Sequence, residues 1–453
     1  MRRCFFNAVP GVLALLVAAC TPADDVTTET PTETPTGTAR QDGVAWAVNV
    51  GGAAYTAVDG TRYEAENSVS GGEPGELAAV KGSQDPALYH GYRAGGSTVE
   101  RATANVLSDL TLHFAEPAQV AGGERVFDVL IEDATAVSGL DVMASRDGKT
   151  ESALTVTVPG VEIADGTFDL AFRPRAGQPV LNALLVREPQ PAAGERELLW
   201  ADEFDYEGLP DPERWNIDVW PARVVNDEDQ AYTDRPENLD VRDGLLTITA
   251  RREDYGDARY TSGRIHSRAK GDVHYGRVEV RARLPAGMGT WPAIWMLPSD
   301  PFRYATRCGP GDLWQGSASC DAWPNSGEID IMEHVGYEMG HVHATVHTEA
   351  YYWAKWEQRK GRVLLDDVDR AFHVYALEWT PGRIDMFVDD TLYFTYVNEG
   401  DGWRSWPFDH PFHVILNVAV GGMWGRAGGG IDDSVFPQSL EIDYVRVYAP
   451  LAE

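Results

Sequence analysis

The sequence predicts an all-β protein: two β-sandwiches in succession, the smaller over residues 44–187 and the larger, jelly-roll in type, over 196–449. Two observations carry that reading. Short runs of alternating apolar and polar residues recur through both segments, which is the period of half-buried strands. Turn residues separate the runs, and no amphipathic helix of convincing length interrupts them. At 453 residues the chain is too long for one ordinary domain. Acidic residues outnumber basic ones 70 to 38, a formal charge of −32. Such a surface repels nucleic acid and anionic membranes and favours a soluble monomer.

The N-terminal stretch has the form of an export signal over residues 1–20. Arg2 and Arg3 precede an apolar run from Val9 to Val17 that is too short to span a bilayer. The small residues before Cys20 resemble a bacterial lipoprotein cleavage site. Cys20 is then the expected lipidation point, and the lipid the only membrane attachment; simple cleavage and release is the alternative. The expected location is the cell surface or outer membrane, otherwise a secreted or periplasmic one. Residues 21–43 are Thr/Pro/Glu-rich and read as a disordered tether. With Cys4 removed and Cys20 lipidated, Cys308 and Cys320 remain, and one disulfide closing a short loop is expected.

In the first globular segment the strands expected are Leu110–Phe114, Arg125–Ile131, Leu154–Val158, Phe168–Phe172 and Ala183–Arg187. Residues 188–195 (EPQPAAGE) read as a linker. In the second segment the runs are Gly244–Arg252, Gly276–Leu284, Glu328–Val335, His341–Thr348, His373–Thr380, Arg383–Asp390, His413–Val420 and Leu440–Ala449.

The first segment carries Val48-Asn49-Val50-Gly51-Gly52, Tyr55-Thr56, Leu88-Tyr89 with Arg93, and His113-Phe114-Ala115-Glu116. On these blocks it resembles a malectin-type domain. The resemblance implies glycan binding through aromatic faces, with Tyr55 and Tyr89 near the site. The aromatic pair that the family has after Phe-Ala-Glu is Pro117-Ala118 here. A carbohydrate-binding module and a structural spacer both remain open.

The stretch Glu328-Ile329-Asp330-Ile331-Met332-Glu333 puts three carboxylates into six residues of an otherwise apolar strand. Each buried charge must be paired or shift its pKa, so such placement is rarely made for stability. Alternation puts Glu328 and Asp330 on one face and would send Glu333 to the other. One extra residue at Ile331 or Met332, a β-bulge, brings it back. Two converging glutamates with Cα atoms ~13 Å apart along the strand suit glycoside hydrolysis. An edge strand with scattered acids is the alternative. Trp291, Trp295, Trp323 and Trp424 lie in Gly-rich or polar surroundings near this strand, as sugar-stacking platforms do.

Further blocks complete the pattern: Trp200 with Asp202 to Asp205, Asn226 to Thr233, Ser262 to Ile265, Gly289 to Pro298, Leu416 to Gly422 and Ile442 to Tyr448. Together they resemble glycoside hydrolase family 16, most of all its laminarinase-type β-1,3-glucanases, which carry the bulged E-x-D-x-x-E form. The resemblance implies a retaining endo-acting hydrolase of β-glucan with no organic cofactor. Glu328 matches the nucleophile, Asp330 the assisting acid and Glu333 the acid/base. Trp291, Trp295 and Trp323 match cleft tryptophans; Arg264 and Asn226 match polar sugar contacts. His347 matches a cleft residue, or is a structural strand histidine. Met423 departs from the family block around Trp424. Glu203, Gly244 and Asp443 match the positions of a structural calcium. Mixed-linkage glucan, agar or carrageenan as substrate, transglycosylation, and a non-catalytic β-glucan-binding protein stay open. An insertion between Pro298 and Trp323 holds both cysteines and is expected to rim the cleft.

Overall fold

The computed structural model describes residues 43–451 except 67, 147 and 190–195. The expected signal, Cys20 and most of both linkers therefore lie outside the described residues. Almost every regular element is a strand, and the α-helices Ala322–Asn325 and Gly422–Gly425 are single turns.

In the N-terminal domain β1 (Val44–Asn49), β2 (Val106–Phe114), β3 (Leu154–Ile163) and β4 (Ala183–Arg187) pair in the order β3-β2-β4-β1. A second, five-stranded sheet contains Val126–Ile131 and Thr167–Ala176. Alternate residues of both, such as Leu112, Leu184, Phe127 and Phe168, meet in one buried core. That is the sandwich expected from the period-two pattern.

The larger domain has a separate core, running from Phe204 to Val447 in sequence. One face of that core comes from β5 (Arg264–His266), β6 (Thr290–Pro298), β7 (Glu328–Glu333), β8 (His341–His347), β9 (Arg359–Leu364) and β10 (Phe412–Val420). These strands pair in the order β5-β10-β6-β7-β8-β9. The other face is a ten-stranded sheet that includes Leu245–Tyr255, His373–Thr380, Thr391–Val397 and Gln438–Tyr448. Of these elements, β5, β6, β9 and Thr391–Val397 are not among the runs that the periodicity announces, and β6 is the one disguised by proline. Pro292 and Pro298 sit within it, although it pairs on both sides, and proline inside a run argues against a central strand.

The two domains share a sheet. Strand β9 of the larger domain pairs in parallel with β3 of the smaller, Thr157 opposite Val363, so one fourteen-stranded sheet crosses the boundary. Side chains secure the junction. The Gln84 amide donates to Val397 O at 2.8 Å and accepts from Val397 N at 2.9 Å, as a neighbouring strand would. Gly82 N donates to Glu357 at 3.1 Å.

Strand β7 carries one residue more than its partners. Against β6, Ile294 faces Met332 and Trp295 faces Asp330; against β8, Asp330 faces Thr345 and Glu333 faces His343. Ile331 and Met332 are both fully buried in the core. The extra residue costs the ladder a regular partner, and the Ile331 carbonyl instead accepts from the Tyr393 hydroxyl at 2.7 Å, across the sandwich. Tyr393→Phe leaves that buried carbonyl without its donor. The expected loss is about 1–3 kcal/mol of unfolding free energy, read by denaturant titration; an unchanged midpoint would remove Tyr393 from this role.

Candidate active site

The outer face of the larger domain's first sheet is a cleft enclosing about 1000 Å³. Its lining follows the pleat. Trp291, Ala293, Trp295 and Leu297 come from β6, alternating by two; His341, His343, Thr345 and His347 from β8; Asn417 and Ala419 from β10. From β7 come Glu328, Asp330 and Glu333, and the step of three between the last two is the bulge. The structure thus brings the three carboxylates onto one face.

Each glutamate is held by an indole. Trp323 Nε1 donates to Glu328 Oε2 at 2.9 Å, and Trp291 Nε1 donates to Glu333 Oε1 at 3.0 Å. Trp295 Nε1 donates to Asn417 Oδ1 at 2.8 Å. Trp424 meets Trp291 edge-on at 5.6 Å and His343 at 5.1 Å. The loop carrying Trp424 comes so close that a Cβ on Gly422, at φ 67°, would stand 3.1 Å from the Trp291 ring; only glycine fits there without strain.

Burial raises the pKa of all three carboxyls. Glu328 is raised by desolvation and then by the charge of Glu333, against the Trp323 N–H and Arg264. Glu333 is raised by desolvation, against Trp291 and Lys360. Asp330, 2 % exposed, is raised well above its ordinary range by desolvation and by both glutamates. The trio titrates as one system, and it retains protons at pH values where exposed carboxylates have lost theirs. His347 lies 3.7 Å from Glu328 and 3.5 Å from Asp330, and burial with Lys360 nearby lowers it to about 3. It is a neutral imidazole at neutral pH. Ligand atoms of Glu328, Asp330 and His347 all lie within 4.8 Å of one another.

Two expected contacts take a different form. The Arg264 side chain is 3 % exposed; it pairs with Asp218 at 3.0 Å and lies between the Trp220 and Trp295 rings at 4.4 and 5.0 Å. It lines the cleft chiefly as the support of Trp295. Asn226, at φ 50°, donates to Glu228 at 3.2 Å. Glu228 was missed by the sequence reading. It is buried, accepts also from Gln230 and Tyr232 at 2.7 and 3.1 Å, and lines the cleft. Asp218 and His343 were missed as well. Alternation along β8 marks His343 beside His347; nothing in the sequence marks Asp218 as the partner of Arg264.

The carboxylates of the calcium expectation are already paired. Glu203 accepts both donors of Arg446 at 2.8 Å, and Asp443 is paired with Arg281. A cation taken up by these two side chains would have to displace two guanidinium groups. One aromatic expectation in the N-terminal domain is corrected. Tyr89 is 2 % exposed, donates or accepts at His113 Nδ1, 2.9 Å away, and presents no open ring face; Tyr55 is half-buried and donates to Asp85 at 2.8 Å.

Cys308 and Cys320 form a disulfide with Cα atoms 5.1 Å apart. The loop that it closes reaches the cleft through Trp314, Gln315, Gly316 and Ser317.

Comparison with known proteins places these features. Residues 226–446 match the Glycosyl hydrolases family 16, and residues 44–184 match the Malectin domain. The chain is 52% identical over 258 residues to a β-glucanase of Rhodothermus marinus, covering 56% of this chain and 85% of that protein. It is 33% identical over 293 residues to glucan endo-1,3-beta-glucosidase A1 of Niallia circulans, 57% of this chain and 38% of that longer protein. The X-ray structure of the laminarinase from Rhodothermus marinus superposes with a TM-score of 0.52 at 49% identity, covering 57% of this chain and 99% of that one.

The raised carboxyls have a stability consequence. Above the ordinary glutamate value of 4.5, the folded trio still binds protons that the unfolded chain has lost. Stability contributed by the trio is therefore full below the ordinary carboxyl values and declines as pH rises through the raised ones. Glu328→Gln removes one carboxyl from that system. Its unfolding free energy relative to wild type is expected to climb as pH rises above ~5, by about 1.4 kcal/mol for each unit of raised pKa that the change removes. A pH-independent difference in calorimetry would contradict the raised carboxyl.

Proposed function

The chain belongs to the glycosyl hydrolases of family 16, and on that premise we propose that it cuts β-1,3-glucan internally, with retention of configuration, by a double displacement. The observation that carries the reading is the bulged strand β7, which sets two glutamates and an aspartate on one face of a tryptophan-lined cleft. The β-glucanase and laminarinase relatives favour a β-1,3-linked glucose polymer as substrate.

Glu328 attacks the anomeric carbon while Glu333 gives its proton to the departing glycosidic oxygen. Water, losing its proton to the same Glu333, then releases the sugar from Glu328. No organic cofactor is required, because the carboxyls supply both nucleophile and proton. Asp330 lies within 4.8 Å of the nucleophile. Were it ionised, it would oppose the charge on Glu328. Its strongly raised pKa keeps it a neutral hydrogen-bond donor instead, so the glutamates can divide their roles. Trp323 and Trp291 fix the two carboxyl groups, so a sugar meets them already oriented.

We place the enzyme outside the cytoplasm, anchored by lipid at Cys20 and acting as a monomer. The N-terminal sequence supports export, and a disulfide at the cleft rim suits an oxidising compartment. Palmitate labelling of wild type and Cys20→Ala checks the anchor.

The deciding experiment measures reducing-sugar release from laminarin, mixed-linkage glucan, agarose and carrageenan by wild type, Glu328→Ser and Glu333→Ala. Laminarin is expected to be cut fastest, with both variants slower by about 10³-fold or more. Proton NMR of the first product should show the β-anomer. Undiminished activity in both variants would overturn the assignment of roles.

A further inference from the structure

The cleft does not end with the larger domain. Ser138, Gly139, Leu140, Asp141, Ala144 and Ser145 of the N-terminal domain line the same cavity as the three carboxylates. They lie on the strand Ala134–Asp141 and on the single 3₁₀ turn Ala144–Arg146. Sheet order brings the domain that carries them alongside the cleft, although their strand belongs to its other, five-stranded sheet. From β7 the floor passes to β8 and β9, and β9 pairs directly with β3 of the N-terminal domain. This is the half of the cleft on the opposite side of β7 from Trp295 and Arg264.

We propose that this segment, with Gln358 and Trp353, forms a distal sugar-binding subsite for the part of the polysaccharide that runs beyond β9. The substrate class rests on the β-glucan reading above; the placement rests on observations of its own.

Gln358 immediately precedes β9, is 9 % exposed and lines the cleft. Its buried side-chain carbonyl oxygen has no hydrogen-bond partner among the described residues. Leaving a buried amide oxygen unpaired is costly, and a ligand hydroxyl is the kind of donor it lacks. Trp353, 41 % exposed, lines the same cavity, and an exposed indole is what a sugar ring stacks on.

The segment is also held in place. Arg362 is fully buried, pairs with Glu338 and donates to Ser145 Oγ at 3.3 Å. Lys149 lies over the Trp356 ring at 4.1 Å. Asp141 accepts from Ala144 N at 2.9 Å and from Gly123 N at 2.5 Å, which fixes the turn. A wall anchored from both domains can bind without first being ordered.

The domain's own aromatic residues do not compete for this role. Tyr63 and Tyr89 both reach His113, at 3.2 and 2.9 Å, and all three line a second, small cavity of about 140 Å³. Arg359, Lys360 and Tyr393 of the larger domain close that cavity from the other side.

The test uses the full chain and a ladder of oligosaccharides, from three sugars to eight, cut from the polymer that wild type hydrolyses best. Failure of the β-1,3 reading would change the ladder and leave the comparison intact. Two variants are made. Ala144→Trp places bulk on an exposed position of the wall, and Gln358→Leu removes the unpaired oxygen with little change of shape. Relative to wild type, kcat/KM is expected to fall at least about five-fold further on the octasaccharide than on the trisaccharide. The cleavage position on long chains should shift as well. A variant-to-wild-type ratio that is the same at every length, with melting temperatures unchanged, would overturn the proposal. Should one variant melt early, the other decides.

Discussion

The rest of the site depends on one surplus residue. Without the bulge at Ile331 and Met332, strict alternation would bury Glu333 in the sandwich and expose Met332 to the cleft. With it, two apolar side chains enter the core in succession, and three acids share the outer face. The arrangement holds only because other groups absorb its consequences. Tyr393 supplies the hydrogen bond that the ladder gives up at Ile331. Trp323 and Trp291 each donate to one glutamate. The third carboxyl, Asp330, resists ionisation because it is itself buried, and then because both glutamates stand near it. Remove any of these and the acids would be strained as neighbours before they were useful as catalysts.

Much of this was legible in the sequence, and the reason is periodicity. Strands such as Ala183–Arg187 and Gly276–Arg283 follow the expected bounds closely; the first is an apolar run buried throughout, and the second alternates along most of its length. The acidic strand was legible for the opposite reason. Its breach of alternation has one economical repair, the bulge, and the pairing of β7 with both neighbours shows it. Strand β6 was harder. Its two prolines disguise a strand paired on both sides, and only its tryptophans drew notice. Contacts made across the sheet, such as Asp218 with Arg264, have no local signature at all. Spacing along the chain cannot report a partner that folding brings from another strand.

Positions matched from a family carry less than positions required by geometry. Glu203 and Asp443 stand where a calcium would be expected, yet each already has an arginine, Arg446 and Arg281. A carboxylate carrying a guanidinium has its charge balanced without a metal. In the cleft, by contrast, no arginine pairs directly with Glu328, Asp330 or Glu333 among the described residues. Protons held within the coupled trio instead keep the three from being charged together. The same residue type thus plays two parts, and the nearest cation decides which.

Residues 188–195 read as a linker between two sandwiches, but one sheet runs through both. A strand pairing at Thr157 and Val363 and the strand-like grip of Gln84 on Val397 make the junction directional as well as close. That geometry bears on the tyrosines of the smaller domain. Tyr63 and Tyr89 keep the aromatic character of a glycan-binding fold, but His113 takes their hydroxyls and the larger domain covers the cavity that they line. An aromatic face used in an interface is lost to a free ligand. The malectin-type sandwich is better understood here as a wall of the catalytic cleft: it meets the polysaccharide with the edge of a strand and a turn, Ser138 to Ser145, instead of with its rings.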